Sequence, residues 1–180
     1  MPETDAPAGS RTRLRALIAA GDTKVIRLGL AALEREYDVE RRYVDSTEAV
    51  RRAFKENAWD LILCDPALPG CGCREILGSL RENGSDSLVV AIAAQDNEAL
   101  AAHLIRQGVR AFIVPARLTR LVPLVQRDLE DARNRRVREL RALLDSSPDA
   151  MLVVGPDGRI RHVNRLLGTL LGYSEKELAG

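Results

Sequence analysis

From Arg13 onward the sequence alternates five times between a short apolar run and an amphipathic stretch. Two of the runs, LILC at 61–64 and LVVAIA at 88–93, are apolar at every position. A strand with one wet face shows a polar residue at every second position, whereas a strand covered on both faces shows none. Strands of that kind, separated by helices, belong to a parallel sheet with right-handed crossovers. The expected architecture is therefore α/β, a doubly wound five-stranded sheet. Its ligand crevice would lie outside the carboxyl ends of the strands. Those ends fall at Ala20–Asp22, Asp65, Ala93–Gln95 and Pro115.

The individual elements follow from period and punctuation. RLRALIAA is a first strand, closed by Gly21 and Asp22. VIRLGLAALERE places Val25, Ile26, Leu28, Gly29, Ala32 and Leu33 at roughly helical spacing. YDVERRYV is a more polar second strand, as expected at a sheet edge. The stretch after it opens on Ser46 with Glu48 nearby but Ala49 at the third position, a partial capping box. DLILC, SLVVAIAA and AFIV are the remaining strands, and the intervening helices stop at Gly84 and Gly108.

The last helix is longer than a small domain needs. Leu121, Val125, Leu129, Ala132, Val137, Leu140 and Leu144 form one broad stripe. A helix of about 25 residues spans roughly 38 Å, so its distal half is expected to pack on something else. The stripe is not a clean heptad. Beyond it, AMLVVGPDGRIRHVN reads as a hairpin about a Gly-Pro-Asp-Gly turn, followed by short helical pieces.

Bulk properties narrow the function. The net charge is +1, which gives no electrostatic case for nucleic acid or an anionic membrane. No run approaches the ~18 apolar residues of a membrane span. MPETDAPAGS has neither the apolar core of a signal peptide nor an anchor, and reads as a disordered tail over residues 1–12. Three cysteines, Cys64, Cys71 and Cys73, fit a reducing cytoplasm better than a disulfide framework.

Residues 13–130 resemble the receiver domain of two-component response regulators, through DLILCDPALPG, AFIVPARLTRLVPLVQRDL and the strand–helix order. Residues 146–180, with Pro-Asp-Ala, Asp-Gly, Val-Asn and Leu-Gly-Tyr elements, resemble the N-terminal portion of a PAS domain, an incomplete α+β segment. Residues 119–145 would be the extended helix between them. The resemblance implies the flavodoxin-like strand order 2-1-3-4-5. It also implies phosphoryl transfer onto one aspartate, assisted by Mg²⁺, an acidic pair after the first strand, a hydroxyl after the fourth and a lysine after the fifth. Asp65 matches the acceptor. The other positions read Ala20, Gly21 and Asp22 for the acidic pair, Ala93 for the hydroxyl and Pro115 for the lysine. Asp22 with Asp65 would be a weak Mg²⁺ site, and otherwise no metal or cofactor is expected.

The chain is thus expected to be a degenerate, non-catalytic receiver, a pseudo-receiver. In place of phosphoryl chemistry it would mediate dimerisation and protein interaction at the front of a larger cytoplasmic signalling protein. The alternative is a phosphorylation-competent receiver in a phosphorelay or hybrid histidine kinase. Family analogy points the output towards cyclic-di-GMP enzymes or a histidine kinase. In receivers the fourth helix, fifth strand and fifth helix make the usual dimer and output face. Here that implies Leu104, Ile113, Leu118, Leu121, Val125 and Leu129, residues that would equally serve a core. Cys71 and Cys73 invite a thiol switch or soft-metal reading, for which His103 and His162 are the other available ligands. Small residues filling a tight loop is the plainer account, with Cys64 as strand packing. RNRRVREL shares its helix with Asp128, Glu130, Asp131 and Glu139, which makes it a solvated face. Asn164 matches the PAS asparagine.

Overall fold

The computed structural model describes residues 11–21, 23–173 and 175–178. The chain divides into two compact units, Met1–Leu129 and Glu130–Gly180. The expected tail lies outside the described residues except at its end, where Thr12 already belongs to the first strand.

The first unit runs β1 (Thr12–Ala19), α1 (Lys24–Glu36), β2 (Tyr37–Tyr43), α2 (Thr47–Glu56), β3 (Leu61–Cys64), α3 (Cys73–Glu82), β4 (Leu88–Ile92), α4 (Glu98–Gln107) and β5 (Ala111–Ile113). A 3₁₀ turn, Pro115–Arg120, then leads into α5 (Leu121–Asp145). The sheet order is β2-β1-β3-β4-β5 and every pairing is parallel. This is the expected doubly wound sheet.

Strand parity sorts the core into two layers. Leu14, Ala16, Ile18, Leu61, Leu63, Leu88, Val90 and Ile92 join Val25, Ile26, Leu30 and Leu33 of α1 and Leu121 and Val125 of α5. Leu17, Ala19, Ile62, Cys64, Val89 and Ala91 face Val50 and Ala53 of α2, Ile76 and Leu77 of α3 and Leu104 of α4. Both faces of the central strands are therefore covered, which is why their sequences carry no polar alternation. On α1 the buried leucine is Leu30. Leu28, assigned to the apolar stripe from its spacing, is 47% exposed, because the stripe needs i, i+4 and i+7 from Ile26.

Gly29 allows α1 to approach the start of α5. A Cβ there would stand 3.2 Å from Leu121 Cδ2 and 3.6 Å from Leu118 Cδ1. Helix starts are fixed by Thr23, Ser46 and Asn97, whose side-chain oxygens accept from the backbone N–H groups of Ile26, Ala49 and Leu100. Helix α3 has no such bond, since its N-cap is Gly72. Pro123 falls in the first turn of α5, where a missing N–H costs nothing. The edge strand β2 is polar, as expected, and it is laced by ion pairs. Glu40 holds Arg13 at 2.6 Å, Glu34 holds Arg41 at 2.5 Å, and Glu56 holds Arg42.

In the second unit β6 (Leu152–Val154) and β7 (Ile160–Val163) form an antiparallel hairpin, followed by α6 (Arg165–Leu171) and α7 (Glu175–Leu178). Gly158 closes the turn with φ of +76°, a conformation suited to glycine. Leu152, Val153 and Val154 are all exposed, so β6 offers an apolar face that this hairpin alone does not cover. On α5 only Leu121 and Val125 are buried, while Val137, Leu140 and Leu143 are exposed.

Candidate functional site

The parallel sheet brings the ends of β1, β3, β4 and β5 to one edge. Cys64, the last residue of β3, lies between Ala19 of β1 and Ala91 of β4. Asp65 follows it. Its N–H donates to the Ala19 carbonyl at 2.9 Å, which continues the ladder one residue past the strand. Its carboxylate Oδ1 accepts the Ala67 N–H at 2.8 Å, and its carbonyl accepts the Leu68 N–H at 3.1 Å. Asp65 is thus the first residue of a turn that its own side chain closes, a local use common for aspartate after a strand. The loop beyond is held by Thr47, whose hydroxyl donates to the Gly70 carbonyl at 2.8 Å.

Around this carboxylate the other strand ends offer little polar chemistry. Ala20 and Gly21 have no side-chain oxygen, and Asp22 lies outside the described residues. Ala93, whose N–H donates to Ile113 at 3.0 Å, presents a methyl group packed against the core. Directly after β5 stands Val114, which is buried. Pro115 comes one position later and opens the 3₁₀ turn. The nearest basic residue along the chain, Arg117, pairs with Asp96 at 3.3 Å. A receiver's Mg²⁺ needs several hard oxygens. Of the positions the resemblance assigns to that ion, the described ones supply one carboxylate, that of Asp65, which already accepts from Ala67.

The cysteines depart from expectation. Cys64 is bonded to Cys73, with Cα atoms 5.8 Å apart, and Cys71 is the free thiol. On sequence, Cys71 and Cys73 are considered together for a thiol switch or a soft metal, with Cys64 as strand packing. Strand parity decides otherwise, because Cys64 points to the sheet face that α3 covers and Cys73 is the first residue of α3. Cys64 is therefore more than strand packing. Burial raises the pKa of the Cys71 thiol, and the charges of Glu75 and Asp45 raise it further.

Several residues considered for a dimer face belong to the unit's own core. Leu104, Ile113, Leu121 and Val125 are at most 5% exposed, while Leu118 and Leu129 are half-buried against the same layer. They leave little for a partner to touch. His103 is exposed on α4, and His162 is buried in β7. Among the described residues no three His, Cys, Asp or Glu side chains gather as metal ligands.

Asn164, directly after β7, makes four side-chain hydrogen bonds. Its Oδ1 accepts the N–H groups of Met151 at 2.9 Å and Leu167 at 3.1 Å. Its Nδ2 donates to the carbonyls of Leu144 at 3.1 Å and Asp149 at 2.8 Å. One amide thereby joins the end of α5, the turn after it, the hairpin and the start of α6.

Comparison with known proteins matches residues 17–125 to the response regulator receiver domain and residues 138–180 to the PAS fold. Cell-division control histidine kinase PdhS from Brucella ovis and from Brucella abortus is 30% identical over 99 residues. That stretch is 55% of this chain but only 9% of each relative. Among solved structures, NtrX from Brucella abortus superposes with a TM-score of 0.60 at 25% identity, covering 76% of this chain and 32% of that one. A response regulator from Hahella chejuensis gives 0.54 at 17% identity, covering 64% and 95%. With strand order and domain match in agreement, the chain belongs to the response regulator receiver domain family and continues into part of a PAS fold.

Proposed function

We propose that this receiver works without phosphoryl transfer, as a pairing and coupling module joined through α5 to a PAS domain in a larger cytoplasmic signalling protein. The observation that carries this reading is the state of Asp65. Its carboxylate serves its own loop, and the flanking strand ends offer alanine, glycine, valine and proline in place of acids, a hydroxyl and a lysine. Phosphoryl transfer depends on positive charge at the transferring oxygens, and the position that the resemblance gives to lysine holds Pro115. The kinship with PdhS favours a histidine kinase as the output. No comparable observation supports a cyclic-di-GMP enzyme.

The deciding experiment is intact-mass spectrometry after treatment with acetyl phosphate and Mg²⁺, beside Asp65→Ala. The expected result is no phosphoryl adduct on either protein. An adduct on the parent that is absent from Asp65→Ala would replace this reading with that of a competent receiver.

Pairing is assigned to the distal half of α5. Val137, Leu140 and Leu144 recur at spacings of three and four, and the first two are exposed, so a second copy of the helix is their natural cover. Leu140→Arg is expected to weaken self-association at least about tenfold, since a charge would enter the seam. Sedimentation over a concentration series reads this directly. Unchanged association would move the interface elsewhere.

A further inference from the structure

We propose that Cys64 and Cys73 form a reversible thiol–disulfide site, reduced by a dithiol, that locks and releases the loop carrying Asp65. The bond ties the last residue of β3 to the first residue of α3, with Asp65 to Gly72 strung between them. Both ends are placed by the fold before any bond forms. Cys64 is fixed by pairing with Ala19 and Ala91, and Cys73 by the packing of α3 on the same core layer. Their Cα separation of 5.8 Å lies inside the range that a disulfide spans without backbone movement.

The tether also stands where a cap is missing. Helices α1, α2 and α4 each begin with a side chain accepting a backbone N–H, whereas α3 begins at Gly72 without one. The bond at Cys73 holds that helix start against the sheet. The intervening loop holds Pro66, Pro69, Gly70 and Gly72, and most of it is exposed or half-buried. Once the tether opens, the Asp65 turn, the Thr47–Gly70 hydrogen bond and the packing of Leu68 and Cys71 on the core are what still restrain it.

The reaction is an ordinary exchange. One thiolate of the dithiol attacks a sulfur of the Cys64–Cys73 bond, forming a mixed disulfide and releasing the other cysteine as a thiolate, which takes a proton. The second thiol of the reagent then attacks the mixed disulfide. The reagent leaves as a disulfide, and two electrons and two protons remain on Cys64 and Cys73. A disulfide of the same class reverses the sequence. Cys71 lies in the same core layer, but its raised pKa keeps it protonated and a poor nucleophile, so the bond does not shuffle onto it. Because both bonded sulfurs belong to buried residues, exchange proceeds from the opened loop.

The test uses the full chain, oxidised in air and then treated with dithiothreitol. Thiols are counted by N-ethylmaleimide adducts after denaturation. One adduct is expected on the oxidised protein and three on the reduced, with a Cys64–Cys73 peptide link in the former. Amides of residues 66–72 are expected to exchange about tenfold faster after reduction, and the melting temperature to fall by about 10 °C. Cys71→Ser is expected to keep the bond. Three adducts before reduction, a link that includes Cys71, or equal exchange in the two states would overturn the proposal. A phosphoryl adduct on Asp65 would sink the pseudo-receiver reading and leave this one intact, because the thiol count is read separately.

Discussion

Leu121→Ala is expected to lower the unfolding free energy of the first unit by about 2–5 kcal/mol, towards the upper end of that range. Leu121 is fully buried in the layer formed by α1, α5 and the sheet. The cost of such a truncation depends on whether neighbours collapse into the space. Here one neighbour is Gly29, which has no side chain to offer, and the same layer includes residues of β1, β3 and β4, strands that are paired on both sides. Gly29→Ala in the parent brings a Cβ to 3.2 Å from Leu121 Cδ2, so it is crowded and gains little from its better helix propensity. In the Leu121→Ala background the same methyl enters the cavity and restores part of the loss. Urea unfolding of the two single variants and the double variant reads the coupling. Additive losses, or a loss under about 1 kcal/mol for Leu121→Ala, would contradict this account of how α5 is anchored.

Asn164→Ala is the second large effect, and it falls on the second unit. The side chain is 1% exposed and makes four hydrogen bonds, each to a backbone group. Alanine removes the cap of α6, worth about 1 kcal/mol. It also strips partners from the carbonyls of Leu144 and Asp149 and the amide of Met151, at about 1 kcal/mol each. The sum is on the order of 3–4 kcal/mol, large for a unit whose sheet is a single hairpin. Asn164→Asp is expected to rescue little. A carboxylate still accepts from Met151 and Leu167, but it faces the Leu144 and Asp149 carbonyls with no proton to donate. Hydrogen exchange at Met151 and Leu167 gives the readout. Protection unchanged in both variants would show that the amide is not what joins these segments.

The parts of this fold that the sequence made legible are those set by one-dimensional pattern. β3 and β4 were plain because every residue of LILC and LVVAI is apolar, and the helix breaks were plain because Gly84 and Gly108 adopt positive φ. Ser46 capped its helix despite a partial signature. What escaped depended on which way a side chain turns. Leu28 and Leu30 are equally apolar, and only the packing of α1 on the sheet decides between them. Leu104, Ile113, Leu121 and Val125 fit a dimer face or a core equally well by spacing, and the structure gives them to the core. The cysteine bond was missed because Cys64 read as strand packing, while its proximity to Cys73 is set by which sheet face α3 covers. The several roles of Asn164 were visible only as a family resemblance, since its partners are backbone groups and leave no mark in the sequence.

The charges along β2 also guard a free margin of the sheet. An outer strand with free hydrogen-bonding groups is an invitation to annexation by another strand, and chains resist it with charged side chains or with brevity. At one end of the sheet, β2 carries Glu40, Arg41 and Arg42, whose ion pairs reach back to β1, α1 and α2. At the other end, β5 is only three residues long and runs straight into a 3₁₀ turn. Exposed pairs of this sort add little stability, but a strand arriving alongside β2 would have to displace them. Growth of the sheet from molecule to molecule is therefore discouraged at both margins.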